Sequence, residues 1–319
     1  MQSQRSHSPV TTPAVVIVGG GTMGADIALV CARGGCRTFI VEIDPARMQA
    51  LPSRVKRGME ELGFGQRAEL VSCHQSLEDV EWSLVDAVIE CVFENLGDKQ
   101  ELFAKLVRIA RPDTVLASNS SSFPISRIAE GLPSADRMLG LHFFMPAHLV
   151  PGVEVVRGEA TAPNHAAWLS SLMTRCGMVP VDVKKDLPGF LANRMQHALA
   201  REAFALIDAG IATPEDVDKA VRFGFGFRFL AAGPALQRDH AGLEIHEAAA
   251  AAMYPSLARV DAPARCLSEH VARGELGMKT GQGFYAWDQG SIAAERMRYD
   301  GLLKAGLQLL KDELPKIER

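Results

Sequence analysis

Three polar segments of the chain carry residue types that could perform acid–base chemistry. The first is the serine-rich stretch ASNSSS at residues 117–122, which directly follows a predicted strand. The second is LHFFMP at residues 141–146, where His142 is followed in the next predicted strand by Glu154. The third is PGFLANR at residues 188–194. Histidine titrates near neutral pH and suits removal of a hydroxyl proton, and a carboxylate on its second ring nitrogen would set the tautomer.

Each of these residues also has an ordinary structural interpretation. A histidine between Leu141 and Phe143 is, on spacing alone, more often a buried core residue than a catalytic one. Glu154 could be an exposed strand residue, and serines such as Ser121 commonly occupy loops and caps. Asn193 could simply begin a helix. The spacing by itself therefore leaves both interpretations open.

A glycine-rich turn indicates a second kind of site. The apolar run at residues 15–18 leads into the pattern Gly19-x-Gly21-x-x-Gly24, and an amphipathic helix follows. Such glycines permit a tight turn, a close approach to a pyrophosphate and close packing of helix on strand, while the helix N-terminus at Thr22 and Met23 offers free N–H groups. A glycine turn used only for packing would leave the acidic residue at position 42 unexplained.

Glu42 ends the next predicted strand, where a ribose 2′-hydroxyl would be held. A carboxylate there repels a 2′-phosphate, so the sequence predicts NAD rather than NADP as the cofactor. The nearby Arg47 weakens this preference.

The elements around these segments alternate between strand and helix up to about residue 187. Strands are predicted at 15–18, 38–41, 71–74, 85–92, 114–117, 138–143, 153–156 and 179–183, and helices at 25–33, 45–62 and 99–110. This alternation is typical of a doubly wound parallel sheet. Beyond it the pattern is helical, with helices predicted at 193–208, from Thr213 as N-cap, and at 241–252, 262–273 and 291–314. We therefore expect an NAD-binding domain at 14–187 and a mostly α-helical domain at 188–319.

Composition excludes several classes of partner. The chain of 319 residues is 47% hydrophobic and 23% charged, with a net charge of −4. The charges are interspersed, which argues against nucleic-acid or membrane binding. Residues 1–13 are polar and are expected to form a disordered tail without signal-peptide character. The six cysteines form no CxxC pair and no metal-ligand spacing is present, so a cytoplasmic protein without a metal is predicted.

Several motifs together resemble the short-chain L-3-hydroxyacyl-CoA dehydrogenase family. They are the glycine turn, VFENLGDK at 92–99, SNSSS at 118–122, HFFMP at 142–146, VEVV at 153–156, PGFLANR at 188–194 and GMKTGQGFY at 277–285. They occur in the family's order, and the resemblance covers residues from about 14 to 287. It implies a Rossmann-type doubly wound sheet followed by a helical domain, NAD as cofactor, and a homodimer formed through the helical domain.

The resemblance also implies the roles of individual residues. His142 would be the general base, and Glu154 would orient its ring. Ser121 and Asn193 would hydrogen-bond the reacting oxygen. The cofactor-binding set would be Gly19, Gly21, Thr22, Met23, Gly24, Glu42, Glu94, Lys99 and Ser121.

The sequence departs from the family pattern at three places. Met145 replaces the asparagine of the usual HFFNP motif, and Pro151 stands where a lysine is common. The segment between Asp44 and the strand at 71–74 is short for the lysine-rich helical hairpin that grips CoA in the family. Relatives without CoA recognition oxidise gulonate, carnitine or a pyridine carboxylate, and a carboxylate substrate would need a cation. The candidate cations are Arg194, Arg222, Arg228 and Arg238.

The sequence therefore leaves the substrate class open. The first hypothesis is NAD-dependent oxidation of a secondary hydroxyl, that of a 3-hydroxyacyl-CoA, which would place the protein in fatty acid metabolism. The alternative is a dehydrogenase of a free hydroxy acid or related carboxylate. A non-catalytic NAD-binding or structural protein is a third hypothesis, against which the intact set of Ser121, His142, Glu154 and Asn193 argues.

Overall fold

The computed structural model of the protein describes residues 12–318. The disordered tail predicted for residues 1–13 lies almost entirely outside them. The chain divides into two compact units: the first comprises the residues up to Leu191 and the segment that begins at Asp312, and the second is Ala192–Lys311.

The first unit is built on one eight-stranded sheet with the order β3-β2-β1-β4-β5-β6-β7-β8. Its strands are β1 (Ala14–Val18), β2 (Arg37–Val41), β3 (Val71–His74), β4 (Ala87–Glu90), β5 (Val115–Ser118), β6 (Met138–Phe143), β7 (Gly152–Arg157) and β8 (Val179–Val183). Its helices are α1 (Thr22–Arg33), α2 (Pro45–Glu61), α3 (Leu96–Ile109), α4 (Ile125–Ile128) and α5 (Pro163–Arg175), with short 3₁₀ helices at Gly65–Leu70, Leu77–Asp79, Trp82–Leu84 and Ala135–Arg137.

The sheet has helices on both faces, as the sequence predicts. Residues of β1 alternate between two hydrophobic clusters, because successive side chains of a strand point to opposite faces. Ile17 packs in one cluster with residues of α1, α2 and α5, while Val16 packs in the other with Phe103 and Leu106 of α3. The strand is buried on both faces, which explains its uninterrupted apolar sequence.

One pair of neighbouring strands departs from the parallel arrangement of the rest of the sheet. β6 and β7 run antiparallel, whereas the other neighbouring strands are parallel. Only residues 144–151 join these two strands. A parallel crossover needs a dozen or more residues, so the short connection requires the antiparallel arrangement.

A single α-helix lies between β2 and β3. Asp44 caps α2 by accepting a hydrogen bond from the backbone N–H of Arg47 at 2.8 Å. After α2 the chain forms the 3₁₀ helix Gly65–Leu70 and enters β3. Residues 45–70, all of which the structure describes, thus hold no helical hairpin.

The second unit is helical. Its helices are α6 (Ala192–Asp208), α7 (Pro214–Lys219), α8 (Pro234–Ala241), α9 (Leu243–Met253), α10 (Arg265–Ala272) and α11 (Gln289–Leu309), with a π-helical segment at Ala220–Phe225 and 3₁₀ helices at Gly226–Leu230 and Tyr254–Ser256. Thr213 caps α7 through the N–H of Asp216, as predicted. In the described part of the chain, no helix combines the length and the apolarity needed to cross a lipid bilayer.

Candidate active site

The antiparallel pairing of β6 and β7 brings the predicted base and its carboxylate together. His142 and Glu154 are directly opposite each other in the register of the two strands. The Nδ1 atom of His142 lies 2.7 Å from Oε2 of Glu154, and its Nε2 atom lies 3.1 Å from Oγ of Ser121. Three residues from separate strands and loops therefore form one hydrogen-bonded chain.

The histidine and the carboxylate are held rigidly. Their side chains are 3% and 1% exposed, so neither is free to rotate into water. The second oxygen of Glu154 accepts a hydrogen bond from the backbone N–H of Leu191 at 3.0 Å. The rings of Phe144 and Phe190 lie 5.0 and 5.4 Å from the imidazole. With both carboxylate oxygens engaged, Glu154 presents a fixed acceptor to Nδ1, which sets the tautomer of His142.

Ser121 lies in a loop that follows β5 at the carboxyl edge of the sheet. Asn119, two residues earlier, accepts a hydrogen bond from the backbone N–H of Phe143 through its side-chain oxygen at 2.9 Å. This bond ties the loop to the strand that carries His142. Ligands of open α/β sheets bind outside the carboxyl ends of the strands, and the chain of three residues lies at that edge.

Glu94 holds the other side of the same loop. Its carboxylate accepts hydrogen bonds from the Ser120 hydroxyl and from the Ser122 backbone N–H, the latter at 2.9 Å. The Nζ atom of Lys99 lies 3.3 Å from its second oxygen. Burial alone would raise the pKa of Glu94, but the Ser120 hydroxyl, the charge of Lys99 and the Ser122 N–H together hold this pKa below its ordinary value.

Lys99 is buried next to this loop. Its side chain is 1% exposed, and its ammonium group lies 2.7 Å from Oε1 of Glu90. It also donates to the backbone oxygen of Val92 at 3.4 Å. The ammonium group thus has three protein oxygens around it within the first unit.

The glycine turn is shaped for a dinucleotide. Gly19 has a φ of +100°, and a Cβ atom there would lie 2.8 Å from the backbone oxygen of Cys91. A Cβ atom on Gly24 would lie 1.8 Å from the backbone oxygen of Gly19, so only glycine allows α1 to approach β1 this closely. Space around Gly21 is open, and no side chain in the described part of the chain caps this end of α1. The N–H groups of Thr22 and Met23 are therefore available to an anion.

Glu42 lies beside this turn and is 4% exposed. Its two carboxylate oxygens accept the backbone N–H groups of Gly20 at 2.9 Å and Asp44 at 2.8 Å. Its carboxylate is also 3.7 Å from Nε of Arg47. These contacts fix an acidic group next to the pyrophosphate turn, where a ribose hydroxyl could donate to it. The residues present therefore fit NAD.

The remaining predicted residues lie in the second unit. Asn193 is near the start of α6. Of the four candidate arginines, Arg194 lies on α6, Arg238 lies on α8, and the other two lie in the segment between these helices. Their roles stay predictions. Among residues 12–318, no group of three or more metal-ligating side chains is arranged to hold a metal ion.

Comparison with known proteins identifies the chain's family. Residues 14–187 match the model of the NAD binding domain of 3-hydroxyacyl-CoA dehydrogenase, and residues 189–287 match the model of its C-terminal domain. The chain belongs to the 3-hydroxyacyl-CoA dehydrogenase family. It is an NAD-dependent oxidoreductase with the Rossmann-type sheet and helical second part that the sequence predicts.

Two relatives of this dehydrogenase differ in the substrate that they are named for. A 5-formyl-3-hydroxy-2-methylpyridine 4-carboxylate 5-dehydrogenase of Mesorhizobium japonicum is 32% identical over 292 residues, which are 89% of this chain and 94% of the relative. A probable 3-hydroxybutyryl-CoA dehydrogenase of Bacillus subtilis is 33% identical over 288 residues, which are 86% of this chain and 97% of the relative.

Solved structures of the family divide in the same way. The crystal structure of a 5-formyl-3-hydroxy-2-methylpyridine 4-carboxylic acid 5-dehydrogenase, described as an NAD⁺-dependent dismutase, has a TM-score of 0.88 at 30% identity and covers 94% of this chain and 99% of its own. The (S)-3-hydroxybutyryl-CoA dehydrogenase of Ralstonia eutropha has a TM-score of 0.70 at 31% identity and covers 88% of this chain and 100% of its own.

Two features of the site were not anticipated from the sequence. Glu90 is a fully buried carboxylate at the end of β4, and the Asn119 side chain joins the serine loop to β6. The signal for Glu90 was present, because an acid at the end of an otherwise apolar strand needs a specific partner. No comparable signal marks Asn119.

Proposed function

We propose that this dehydrogenase interconverts a substrate hydroxyl and the corresponding carbonyl, with His142 as the general base. The hydrogen-bonded chain from Ser121 through His142 to Glu154 supports this proposal. Nε2 of His142 takes the hydroxyl proton, and Glu154 stabilises the imidazolium that forms. Bound NAD supplies the hydride acceptor.

The other residues bind and orient. Ser121 and Asn193 hydrogen-bond the reacting oxygen, and donors at that position stabilise the charge that develops there in the reverse direction. Gly19, Gly21, Thr22, Met23 and Gly24 form the pyrophosphate turn. Glu42 binds the ribose, Glu94 and Ser121 contact the cofactor, and the buried Lys99 supports this contact through its ion pair with Glu94. We assign NAD binding to residues 14–187 and substrate binding and dimerisation to residues 188–319.

The first candidate substrate is a 3-hydroxyacyl-CoA, oxidised at its 3-hydroxyl to the 3-ketoacyl-CoA. Membership of the family supports this candidate, as do the relatives named for 3-hydroxybutyryl-CoA. The reaction would belong to fatty acid metabolism.

The second candidate is a free hydroxy acid or related carboxylate that carries no CoA. The single helix between β2 and β3 favours this candidate, because the segment that would grip CoA in the family is reduced to α2 and one 3₁₀ helix. The TM-score of 0.88 with a pyridine-carboxylate dehydrogenase, against 0.70 for a 3-hydroxybutyryl-CoA enzyme, points in the same direction.

NADH oxidation separates the two candidates. The purified protein is mixed with NADH and either acetoacetyl-CoA or a panel of free keto acids and aromatic aldehyde carboxylates. Because no second α-helix stands between β2 and β3 to contact the CoA moiety, we expect kcat/KM to be higher for a free carboxylate than for acetoacetyl-CoA. Higher kcat/KM for the CoA ester would assign the first candidate. No turnover with either class, despite NADH binding, would favour a non-catalytic protein.

We further propose that the second unit forms a homodimer. No residue of α6–α11 is buried, although this part of the chain is described completely. Large apolar side chains are exposed instead, among them Phe223 at 70% and Phe227 at 66%. A unit of this size without a core is unstable by itself, so a second copy of the chain supplies the missing apolar contacts.

Light scattering on the intact protein tests this proposal. We expect the mass of a dimer at micromolar concentration, and we expect Phe223→Glu combined with Phe227→Glu to shift the mass toward the monomer. The exposed pair Lys105→Glu and Glu78→Lys in the first unit is the matched control and should leave the mass unchanged. A wild-type protein that is monomeric at micromolar concentration would refute the homodimer.

The cysteines support a cytoplasmic location, which we also propose. All six are free thiols, and burial raises the pKa of Cys91 and Cys73. Reduced buried thiols are typical of a reducing compartment.

A further inference from the structure

A buried charge cluster lies beneath the loop that carries Ser121. It consists of Glu90 at the end of β4, Lys99 on α3, and Ser118 at the end of β5, all nearly inaccessible to solvent. Glu90 and Ser118 are neighbours in the register of the two strands. None of the roles assigned above to the reaction includes Glu90 or Ser118.

Glu90 makes a full set of hydrogen bonds. Its Oε1 accepts the backbone N–H of Val92 and the ammonium group of Lys99, each at 2.7 Å. Its Oε2 accepts the hydroxyl of Ser118 at 2.5 Å. Three donors from three different segments thus converge on one carboxylate, which fixes the position of each donor.

Both ends of the serine loop are attached to this cluster. On one side, the Ser118 hydroxyl oxygen accepts the backbone N–H of Ser120 at 3.2 Å, and the backbone oxygen of Glu90 accepts the N–H of Asn119 at 2.8 Å. On the other side, Lys99 contacts Glu94, which in turn binds Ser120 and Ser122. Ser121 lies between these attachments.

The energetics argue against a purely stabilising role. A buried ion pair is rarely more stable than apolar residues of the same volume, because desolvation offsets the attraction between the charges. β4 is otherwise apolar and packed, so an apolar residue at position 90 would suit the core. Stability alone therefore does not explain the cluster.

We propose that Glu90 is a positioning residue that, through Ser118 and through Lys99 and Glu94, holds the serine loop so that Ser121 reaches Nε2 of His142. It touches neither substrate nor the reacting atoms. The proposal rests on the proposed function only because it takes His142 and Ser121 as the catalytic residues whose contact is measured. This 3.1 Å contact can be observed without any turnover of substrate.

Two substitutions test the proposal. Glu90→Gln keeps the size of the side chain but loses the charge and one hydrogen-bond acceptor. Ser118→Ala removes the hydroxyl that joins Glu90 to Ser120 and leaves the ion pair between Glu90 and Lys99 intact. If Glu90→Gln does not fold, Ser118→Ala still tests the proposal. Asp86→Asn is the matched control, because Asp86 immediately precedes β4, at the end remote from Glu90, and pairs with Arg111 at 3.1 Å.

The first readout is the ring-nitrogen NMR spectrum of His142 in the protein without cofactor, assigned by its loss in His142→Gln. We expect Glu90→Gln and Ser118→Ala to shift the Nε2 signal in the direction that Ser121→Ala does, and Asp86→Asn to leave it in place. The second readout is kinetic: kcat should fall roughly tenfold to a hundredfold, with a smaller change in the Kd for NADH.

The outcomes distinguish this proposal from the proposed function. If both variants keep the wild-type Nε2 signal and kcat while only their melting temperatures fall, Glu90 is structural and the proposal is wrong. If the Nε2 signal moves but wild-type enzyme turns over no substrate, the positioning role stands and the proposed function fails.

Discussion

Substitution of His142 by glutamine should lower kcat by roughly a thousandfold, because general acid–base catalysis by a positioned side chain contributes factors of this order. Glutamine fills a similar volume and can still hydrogen-bond Glu154, so the packing of Phe144 and Phe190 around the site should be kept. It cannot accept the hydroxyl proton. The measurement is turnover with the best substrate from the panel, over a range of pH.

Binding of NADH by the same variant should stay close to that of the wild type, since the pyrophosphate turn and Glu42 are remote in the fold from position 142. Fluorescence of bound NADH gives this Kd directly. His165→Gln is a suitable control, because His165 is a half-buried histidine on α5 outside the site. Turnover by His142→Gln near the wild-type rate would refute the mechanism.

The cofactor half of the site could be predicted because its constraints are local. Gly19, Gly21 and Gly24 are separated by a few residues; backbone geometry requires glycine at positions 19 and 24, and Gly21 leaves open space beside the turn. Glu42 follows at the end of the next strand, at the distance that such folds impose. The strand order of the first unit was predictable for the same reason, since most of its strands are apolar runs bounded by turn residues.

The catalytic half depends on a long-range pairing that spacing does not show. His142 and Glu154 meet because β6 and β7 are antiparallel and in a particular register. A shift by one residue would turn Glu154 to the opposite face of the sheet. Residue types make His142 and Glu154 candidates, but spacing alone also allows an ordinary structural interpretation of both, and their roles come from the resemblance to a family.

Two other differences have physical causes that the sequence conceals. Lys99 is buried because Glu90 and Glu94 converge on it from other elements, whereas an isolated helix would present a lysine to water. Helix α5 has no predicted counterpart, and its N-cap position is Ala162, which forms no capping bond through its side chain. Without a cap residue, Pro163 at the first helical position is the main local signal for the start of this helix, and proline also occurs in many turns.

Substitution of Glu154 by glutamine should also lower kcat strongly while the fold is kept. The N–H of Leu191 needs an acceptor, so the amide oxygen of the new side chain turns toward it and the NH₂ group turns toward Nδ1 of His142. Nδ1 must then accept a hydrogen bond, which leaves the proton on Nε2. A histidine in this tautomer cannot take a proton from the substrate at Nε2, and the expected loss in kcat is roughly 10³-fold to 10⁴-fold.

The tautomer itself provides the decisive measurement for Glu154→Gln. Ring-nitrogen NMR should show Nδ1 of His142 protonated in the wild type and Nε2 protonated in the variant, in parallel with the loss of turnover. Asp182→Asn makes the same change from carboxylate to amide on the neighbouring strand β8, where Asp182 pairs with Arg157 at 2.9 Å. This control should alter neither the tautomer of His142 nor turnover. If Glu154→Gln kept the wild-type tautomer yet lost activity, Glu154 would act by its charge on the imidazolium alone. If Glu154→Gln kept both the wild-type tautomer of His142 and the wild-type activity, Glu154 would have no part in catalysis.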